Sequence, residues 1–375
     1  MIGMKIKFCD LKAINKQYGI DTSVFDEVLD TGNYLLGKQT EQFESNITKF
    51  LSNEDKTGYT ITCANGTDAL ILSLKAVDIS IGDEVITVAN TAYPTISAIL
   101  NVGATPKFID IDPQTLLMDI NQLELILSPK TKAIMIVHLY GNMVAVELVK
   151  DLLRKVNRED IIIIEDVAQA FGSKINGCSA GTLSDLAAFS FYPTKNLGAL
   201  GDAGAVYTTN DEYAKKIRAL KHYGMTGLCL HYHQGINSRI DELQAAVLNQ
   251  KIKLISSVVQ KKELLYDRYQ KGLRGSPYEM VMQTKNAHPH WHLLVIMARS
   301  GKIRDDLRQW LSQCGIETLI HYSYTVANLK FLASDQMAHL PQTLEASERI
   351  LSLPFNIALQ ESDIDYIVDC IKRFD

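Results

Sequence analysis

Short β-branched apolar runs alternate with stretches whose apolar residues recur every three to four positions over much of the chain. The runs at 60–64, 84–88, 105–111, 133–138 and 161–164 are too short for helices and predict strands buried on both faces. Helical spacing fills the gaps at 69–77, 121–127, 146–156 and 211–222. That βα alternation predicts an α/β protein with a mostly parallel, doubly wound sheet. Ahead of it, residues 11–52 read as helical with a break at 31–37, where Gly32 and Gly37 bracket a turn; Phe43, Ile47 and Phe50 then form a core stripe. In 235–246 a helix is expected to start, with Ser238 or Asp241 as its cap. After residue 250 the pattern becomes more helical and charged, with a strand expected at 288–296 and a last amphipathic helix at 361–374. The expected division is a large domain, 1–245, and a small one, 246–375.

The ends of two buried runs carry the chemistry. Ile161–Ile164 is followed at once by Glu165 and Asp166, at the carboxyl end of a strand, where open α/β sheets place ligands. The apolar run 186–192 ends in Pro193, Thr194, Lys195 and Asn196, then in Gly198, Ala199, Gly201, Ala203 and Gly204. Lys195 therefore sits on no polar helix face and precedes a loop that lets backbone approach a ligand. Burial disfavours the ammonium form, and a neutral amine can form a Schiff base with a carbonyl. Asp166, held against a pyridine nitrogen, would keep that nitrogen protonated and the ring able to accept electrons. The pair points to pyridoxal 5'-phosphate. Asn65, Gly66 and Thr67 open the helix at 69–77, and a glycine turn feeding a helix N-terminus is a site for the cofactor phosphate. The competing reading is a plain N-cap by Thr67 or Asp68.

Composition narrows the classes. A chain of 375 residues with 46% hydrophobic content can bury a large core, and a net charge of −5 without a basic tract argues against nucleic acid. Six cysteines scattered without a CxxC pair argue against a disulfide framework or zinc site, and no segment has the apolar length to span a membrane. The start lacks a long apolar signal region, so a cytoplasmic enzyme is the expectation. His288, His290 and His292 would share one face of a strand, but no carboxylate or cysteine follows at zinc-site spacing, so no metal is expected. Gly198, Gly201 and Gly204 are spaced GxxGxxG and open no βαβ unit, which sets a dinucleotide site aside. A histidine at a strand end, His138, reads equally as a core residue or a catalyst.

The order Glu165-Asp166-Val167-Ala168-Gln169-Ala170-Phe171-Gly172, then Gly181, Asp185 and Ser190-Phe191-Tyr192-Pro193-Thr194-Lys195-Asn196-Leu197-Gly198, resembles the DegT/DnrJ/EryC1/StrS sugar aminotransferases. The resemblance runs over nearly the whole chain and implies an aspartate-aminotransferase-like fold of type I. By it, Lys195 forms the Schiff base and Asp166 meets the pyridinium nitrogen. Gln169 sits at the ring hydroxyl, and Ser190, with Gly66 and Thr67, binds the phosphate. The asparagine of NSRIDELQAA, Asn237, reaches the phosphate of the neighbouring subunit, which implies a homodimer with shared active sites. Tyr34 and Leu36 border the active site and, with Tyr192, His321 and Tyr322, are expected at the substrate. Ala92 stands where relatives stack an aromatic on the ring, leaving that role to Tyr93 or to aliphatic contact, and Ser323 replaces the proline usual after His-Tyr. Lys195 excludes the dehydratases that carry histidine there. The implied reaction moves the amino group of L-glutamate to a dTDP-3-keto-6-deoxyhexose, giving a dTDP-3-amino-3,6-dideoxyhexose for a surface polysaccharide such as O-antigen or for a glycosylated metabolite. Amination at C-4 and a non-catalytic dimeric scaffold are the alternatives.

Overall fold

The computed structural model describes residues 6–52, 58–226, 230–231, 233–323 and 339–374. The N-terminal part is helical: α1 (Leu11–Tyr18), α2 (Ser23–Thr31) and α3 (Lys38–Leu51). Then come β1 (Tyr59–Cys63), α4 (Gly66–Ala76), β2 (Glu84–Val88), α5 (Tyr93–Asn101), β3 (Thr105–Ile109), α6 (Leu123–Ile126), β4 (Thr131–Val137), α7 (Val146–Lys155) and β5 (Ile162–Asp166). A short pair, β6 (Lys174–Ile175) and β7 (Cys178–Ser179), leads to β8 (Leu186–Ser190), β9 (Gly204–Thr208) and α8 (Asp211–Leu220). Beyond the ribbon β10 (Met225–Thr226) and β11 (Leu230–His231) run α9 (Glu242–Ile252) and the long α10 (Ile255–Leu273). The C-terminal part holds β12 (Glu279–Met280), β13 (Ala287–His288), β14 (Leu294–Met297), α11 (Gly301–Gln313), α12 (Pro341–Arg349), β15 (Ile350–Leu353) and α13 (Glu361–Lys372).

Seven strands form the central sheet in the order β1-β9-β8-β5-β4-β2-β3. The pairs from β8 to β3 are parallel, and β9 runs antiparallel to both β8 and β1. Successive residues of a strand point to opposite faces, and here both faces are dry. Ile86, Ile134, Ile136 and Ile163 pack with Phe43 and Ile47 of α3 and Val149 of α7. Their neighbours Val85, Ala133, Met135 and Ile164 pack on the other face with Leu70 of α4, Ala98 of α5 and Ile217 of α8. Two-sided burial is why these strands read as unbroken apolar runs; each fully buried isoleucine contributes about 1.5–3 kcal/mol. A separate three-stranded sheet, β12-β14-β15, carries the C-terminal part.

Four expectations change. The stretch 288–296 is two strands, not one: β13 pairs with β6, and β14 with β12 and β15. Between them His290 N donates to Ser173 Oγ at 2.9 Å and His292 N to the Tyr140 carbonyl at 2.7 Å, so the backbone is tied to loops instead of a ladder. His288 is exposed while His290 and His292 are buried, and the shared histidine face does not exist. Helix α5 follows β2 in a stretch where no helix is expected; Pro94 sits in its first turn, where the missing N–H costs nothing. Strand β9 emerges from what reads as a small-residue loop. The cap of α4 is Asn65, whose side chain accepts from Asp68 N at 2.8 Å, so neither Thr67 nor Asp68 caps it.

Candidate active site

Lys195 lies in the hairpin loop joining β8 to β9. Phe191 N donates to the Ala203 carbonyl and Ala199 N to the Phe191 carbonyl, closing the loop at its base; Lys195 N donates to the Tyr192 carbonyl at 2.8 Å. Lys251 of α9 braces it from below, its Nζ donating to the Gly198 carbonyl at 2.6 Å and to Asn15 Oδ1 at 2.7 Å. Asp166 ends β5, the strand beside β8. Loop and strand thus face one cavity of about 250 Å³, walled by Gly66, Thr67, Asp166, Gln169, Ser190, Tyr192 and Lys195, with Ala92, Pro94 and His138 among the rest.

Electrostatics inside it follow from burial. Burial drives the Lys195 pKa down to about 8, against the pull of the Asp166 carboxylate. Burial likewise lifts Asp166 above the ordinary carboxylate range, and two donors work against the rise: Ala168 N at 3.1 Å and the Thr95 hydroxyl at 2.8 Å. Thr95, one helical turn beyond Thr91, is in turn hydrogen-bonded to the Thr91 hydroxyl at 2.8 Å, so the acid's orientation is fixed by the first turns of α5. A cation placed against Asp166 would supply the countercharge that burial denies it.

His138 is a brace, not an acid or base for a ligand. Its Nδ1 accepts from Val144 N at 3.1 Å and its Nε2 faces Glu165 Oε2 at 2.8 Å, so both nitrogens are committed. Burial works to raise Glu165, but the His138 bond, with donors from Gly181, Leu183 and Ser184, overcomes it and leaves the acid below its usual range. The adjacent Glu165 and Asp166 are therefore unlike: one is a saturated structural acceptor pointing away, the other fronts the cavity.

The far end of the cavity is built for an anion. Gly66 and Thr67, the first residues of α4, line it and present the positive end of the helix. A Cβ on Gly66 would come within 2.6 Å of Ser190 Cβ, and one on Gly204 within 2.3 Å of the Asn65 carbonyl, so only glycine lets α4, β8 and β9 meet this closely. A helix N-terminus and a serine hydroxyl at one end, an acid in the middle and a lysine of lowered pKa beside it match the phosphate, ring nitrogen and aldehyde of pyridoxal phosphate.

Gln169 crosses toward the C-terminal part. Its Oε1 accepts from Tyr140 N at 2.7 Å and its Nε2 donates to the Tyr322 hydroxyl at 3.0 Å. Neighbouring His321 lines a second cavity, of about 190 Å³, and its Nδ1 is bonded to Ser352 Oγ at 2.9 Å. Five expected residues stay off both walls, Tyr322 among them despite its bond to Gln169. Tyr93 is at the start of α5, about a third exposed, while its neighbours Ala92 and Pro94 line the first cavity. Tyr34 and Leu36 are exposed on a loop clamped by buried Glu242 of α9, which accepts from Gly37 N, Gln39 N and Thr40 N. Asn237 is exposed, although its neighbour Ser238 is stitched to the α4 turn through Asp68 Oδ2 and Ala64 N; Ser238 thus caps nothing, and Asp241 takes the N-cap position of α9 without a side-chain bond.

A doubly wound sheet carrying a buried acid at one strand tip, a lysine of lowered pKa on the next connection and a glycine-built anion cradle between them defines a pyridoxal-phosphate-dependent aminotransferase of fold type I. Comparison narrows the class: the DegT/DnrJ/EryC1/StrS aminotransferase family matches residues 19–372, and the chain belongs to that family. Among its relatives are a pleiotropic regulatory protein of Geobacillus stearothermophilus, 35% identical and covering 94% of this chain and 93% of its own. Another is dTDP-3-amino-3,6-dideoxy-alpha-D-galactopyranose transaminase of Aneurinibacillus thermoaerophilus, 34% identical over 98% and 99% of the two chains. The crystal structure of DesV of S. venezuelae in complex with a ketimine intermediate superposes with a TM-score of 0.88 at 32% identity, covering 98% of each chain. Among the described residues no helix is long and apolar enough to cross a membrane.

Proposed function

We propose that this enzyme transfers the amino group of L-glutamate to C-3 of a dTDP-linked 3-keto-6-deoxyhexose. The observation that carries the reading is the single cavity shared by Lys195, Asp166 and the Gly66–Ser190 cradle. When bound there, pyridoxal phosphate supplies an electron sink and a carrier for the amino group. The protein's part is positional and protic. Ser190 and the start of α4 take the phosphate, Asp166 holds a proton on the ring nitrogen, Gln169 meets the ring hydroxyl, and Ala92 with Pro94 covers a ring face. Lys195 Nζ accepts the Cα proton of the donor, which a pKa near 8 makes feasible at neutral pH. In the second half it returns a proton to the sugar carbon that becomes the amine-bearing centre.

The C-3 preference and the dTDP carrier follow the relative of Aneurinibacillus, matched over 98% of this chain and 99% of its own. Such a reaction belongs in the cytoplasm, where nucleotide sugars are made for surface polysaccharides or glycosylated metabolites. The division into a large domain, 1–245, and a small one, 246–375, is supported by two separate sheets, the large one lying within 59–208 and the β12-β14-β15 sheet within 279–353.

A homodimer completes the site. Tyr34, Leu36 and Leu200 are between 44 and 52% exposed, apolar side chains that a partner subunit would cover, and Asn237 is exposed as well. Asn237 then reaches the partner's phosphate. Asn237→Ala is expected to weaken pyridoxal-phosphate retention about tenfold, the worth of one charge-assisted bond, with the melting temperature of the cofactor-free protein little changed. Unaltered cofactor affinity, measured by dialysis, counts against the shared site.

The absorbance spectrum of the enzyme loaded with pyridoxal phosphate, before and after L-glutamate, tests the activity. The lysine-bound band should give way to that of pyridoxamine phosphate, and subsequent addition of the keto sugar should restore it. A band that forms and ignores every amino donor sinks the transaminase reading.

A further inference from the structure

Among the described residues Lys195 is the one that lines both cavities. The second one runs on its other side, between the N-terminal segment (Phe8, Cys9, Tyr18), helix α10 (Val258, Lys262) and the C-terminal part (His321, Phe355). The two lysines are the charged groups of its lining, since burial holds His292 and His321 neutral. Lys195, Lys262, His292 and His321 contribute donors, Asn196, Asn356 and Thr194 are neutral, and among the described residues no aspartate or glutamate lines it.

Lys262 is the unusual member. Its side chain is buried, with Nζ donating to Asn196 Oδ1 at 2.9 Å and to the Trp291 carbonyl at 2.7 Å, and sitting 5.2 Å from the centre of the Phe355 ring. Both oxygens are neutral, and an ammonium carries three N–H donors. No carboxylate pairs with it in the described structure. Burial depresses its pKa to about 7, opposed only by the Cys9 thiol. A buried cation without a counter-ion is costly unless a ligand brings one. The fold gives Lys262 no other evident charge to meet, yet sets it in the wall of a cavity that opens onto the reacting lysine.

We infer that this second cavity is the carboxylate subsite of the amino donor, with Lys262 as the anchor for the side-chain carboxylate of a dicarboxylic amino acid whose amino group lies at Lys195. The inference rests on the aminotransferase reading above and specifies which donor class that site accepts. His321 completes the polar wall, Asn196 holds Lys262 in place through its Oδ1, and Phe8, Val258 and Phe355 cover the methylene chain. A neutral side chain of the same length would leave the Lys262 charge unpaired, so selection for two carboxylates comes from one residue.

Calorimetric titration of the holoenzyme with glutarate and with butyrate reads this without turnover. Glutarate should bind at least about tenfold more tightly, in line with a hydrogen bond to a charged group. Lys262→Met should erase the difference and Lys262→Arg should keep most of it. Cys9→Asp, which places a carboxylate beside an intact Lys262, should cut glutarate affinity as well; Cys9→Ser should not. Equal binding of the two acids by the wild type, or a preference that survives in Lys262→Met or, should that variant not fold, in Cys9→Asp, overturns the assignment. Because glutarate carries no amine, these results stand apart from the spectral test of transamination: a failed spectral test alongside a lysine-dependent glutarate preference rejects the reaction and not the subsite.

Discussion

Lys195→Ala is expected to lower amino transfer by on the order of 10⁴-fold or more, because on the proposed role the variant would lose both the nucleophile that holds the cofactor and the base that moves the donor's Cα proton. The same substitution should not cost the fold. In the folded, cofactor-free protein burial holds the lysine pKa at about 8 instead of the ordinary 10.5. The unfolded chain therefore binds more protons between those values, and this group's contribution to stability rises with pH from about 8 to 10.5. Below pH 8 the folded state carries the full penalty, at most about 3 kcal/mol. Alanine removes that penalty and loses some packing of the lysine stem. Thermal melts of the cofactor-free proteins should then show the variant at least as stable as the wild type at pH 7, with the advantage shrinking toward pH 10. Near-normal turnover in the variant would falsify the assignment of Lys195; a fall in stability of several kcal/mol would show that the lysine is structural.

The residues that made this site legible are those whose local pattern and chemistry coincide. Ile161–Ile164 predicts a buried strand, and the carboxylate that follows, Asp166, reaches the cavity because a strand tip in a doubly wound sheet must. Lys195 stands out because nothing in its surroundings would solvate it. Residues acting through tertiary contact left weaker traces. Thr95 is ordinary in sequence, and only the fold brings its hydroxyl to Asp166, across 71 positions of chain. Strand β9 hides among small residues, since Gly204 must be small to pass Asn65 and so lowers the strand signal of the segment it begins. The histidine-rich stretch at 288–293 mimics a strand by alternation, but Tyr140 and Ser173 take its backbone bonds. Lys262 did leave a trace. It falls in register with Ile255, Val258, Leu265 and Tyr269, on the buried face of α10, where a lysine has no business unless something pairs with it.

Asp166→Asn tests the other half of the constellation, and its effect should approach that of the lysine: a fall in the rate of amino transfer on the order of 10³-fold, with the Schiff-base absorbance band still forming. The two groups differ in what they do for the electron sink. Ala168 N–H and the Thr95 hydroxyl both donate to the Asp166 carboxyl, which fixes it as an acceptor and leaves it to take a third donor from the cavity. On the proposed reading a protonated ring nitrogen would be that donor, and the ion pair would relieve the burial that otherwise raises the acid's pKa. Asparagine is of nearly the same shape and can keep the Thr95 bond, so folding and the phosphate cradle should survive. It carries no charge, however, and it can turn its own N–H₂ toward the ring, which favours an unprotonated nitrogen and weakens the sink. The measurement is stopped-flow absorbance of the half-reaction with L-glutamate in both proteins, with apparent donor affinity extracted separately from the limiting rate. A lower limiting rate at unchanged affinity places Asp166 on the ring; a loss confined to affinity would mean that it holds the substrate instead.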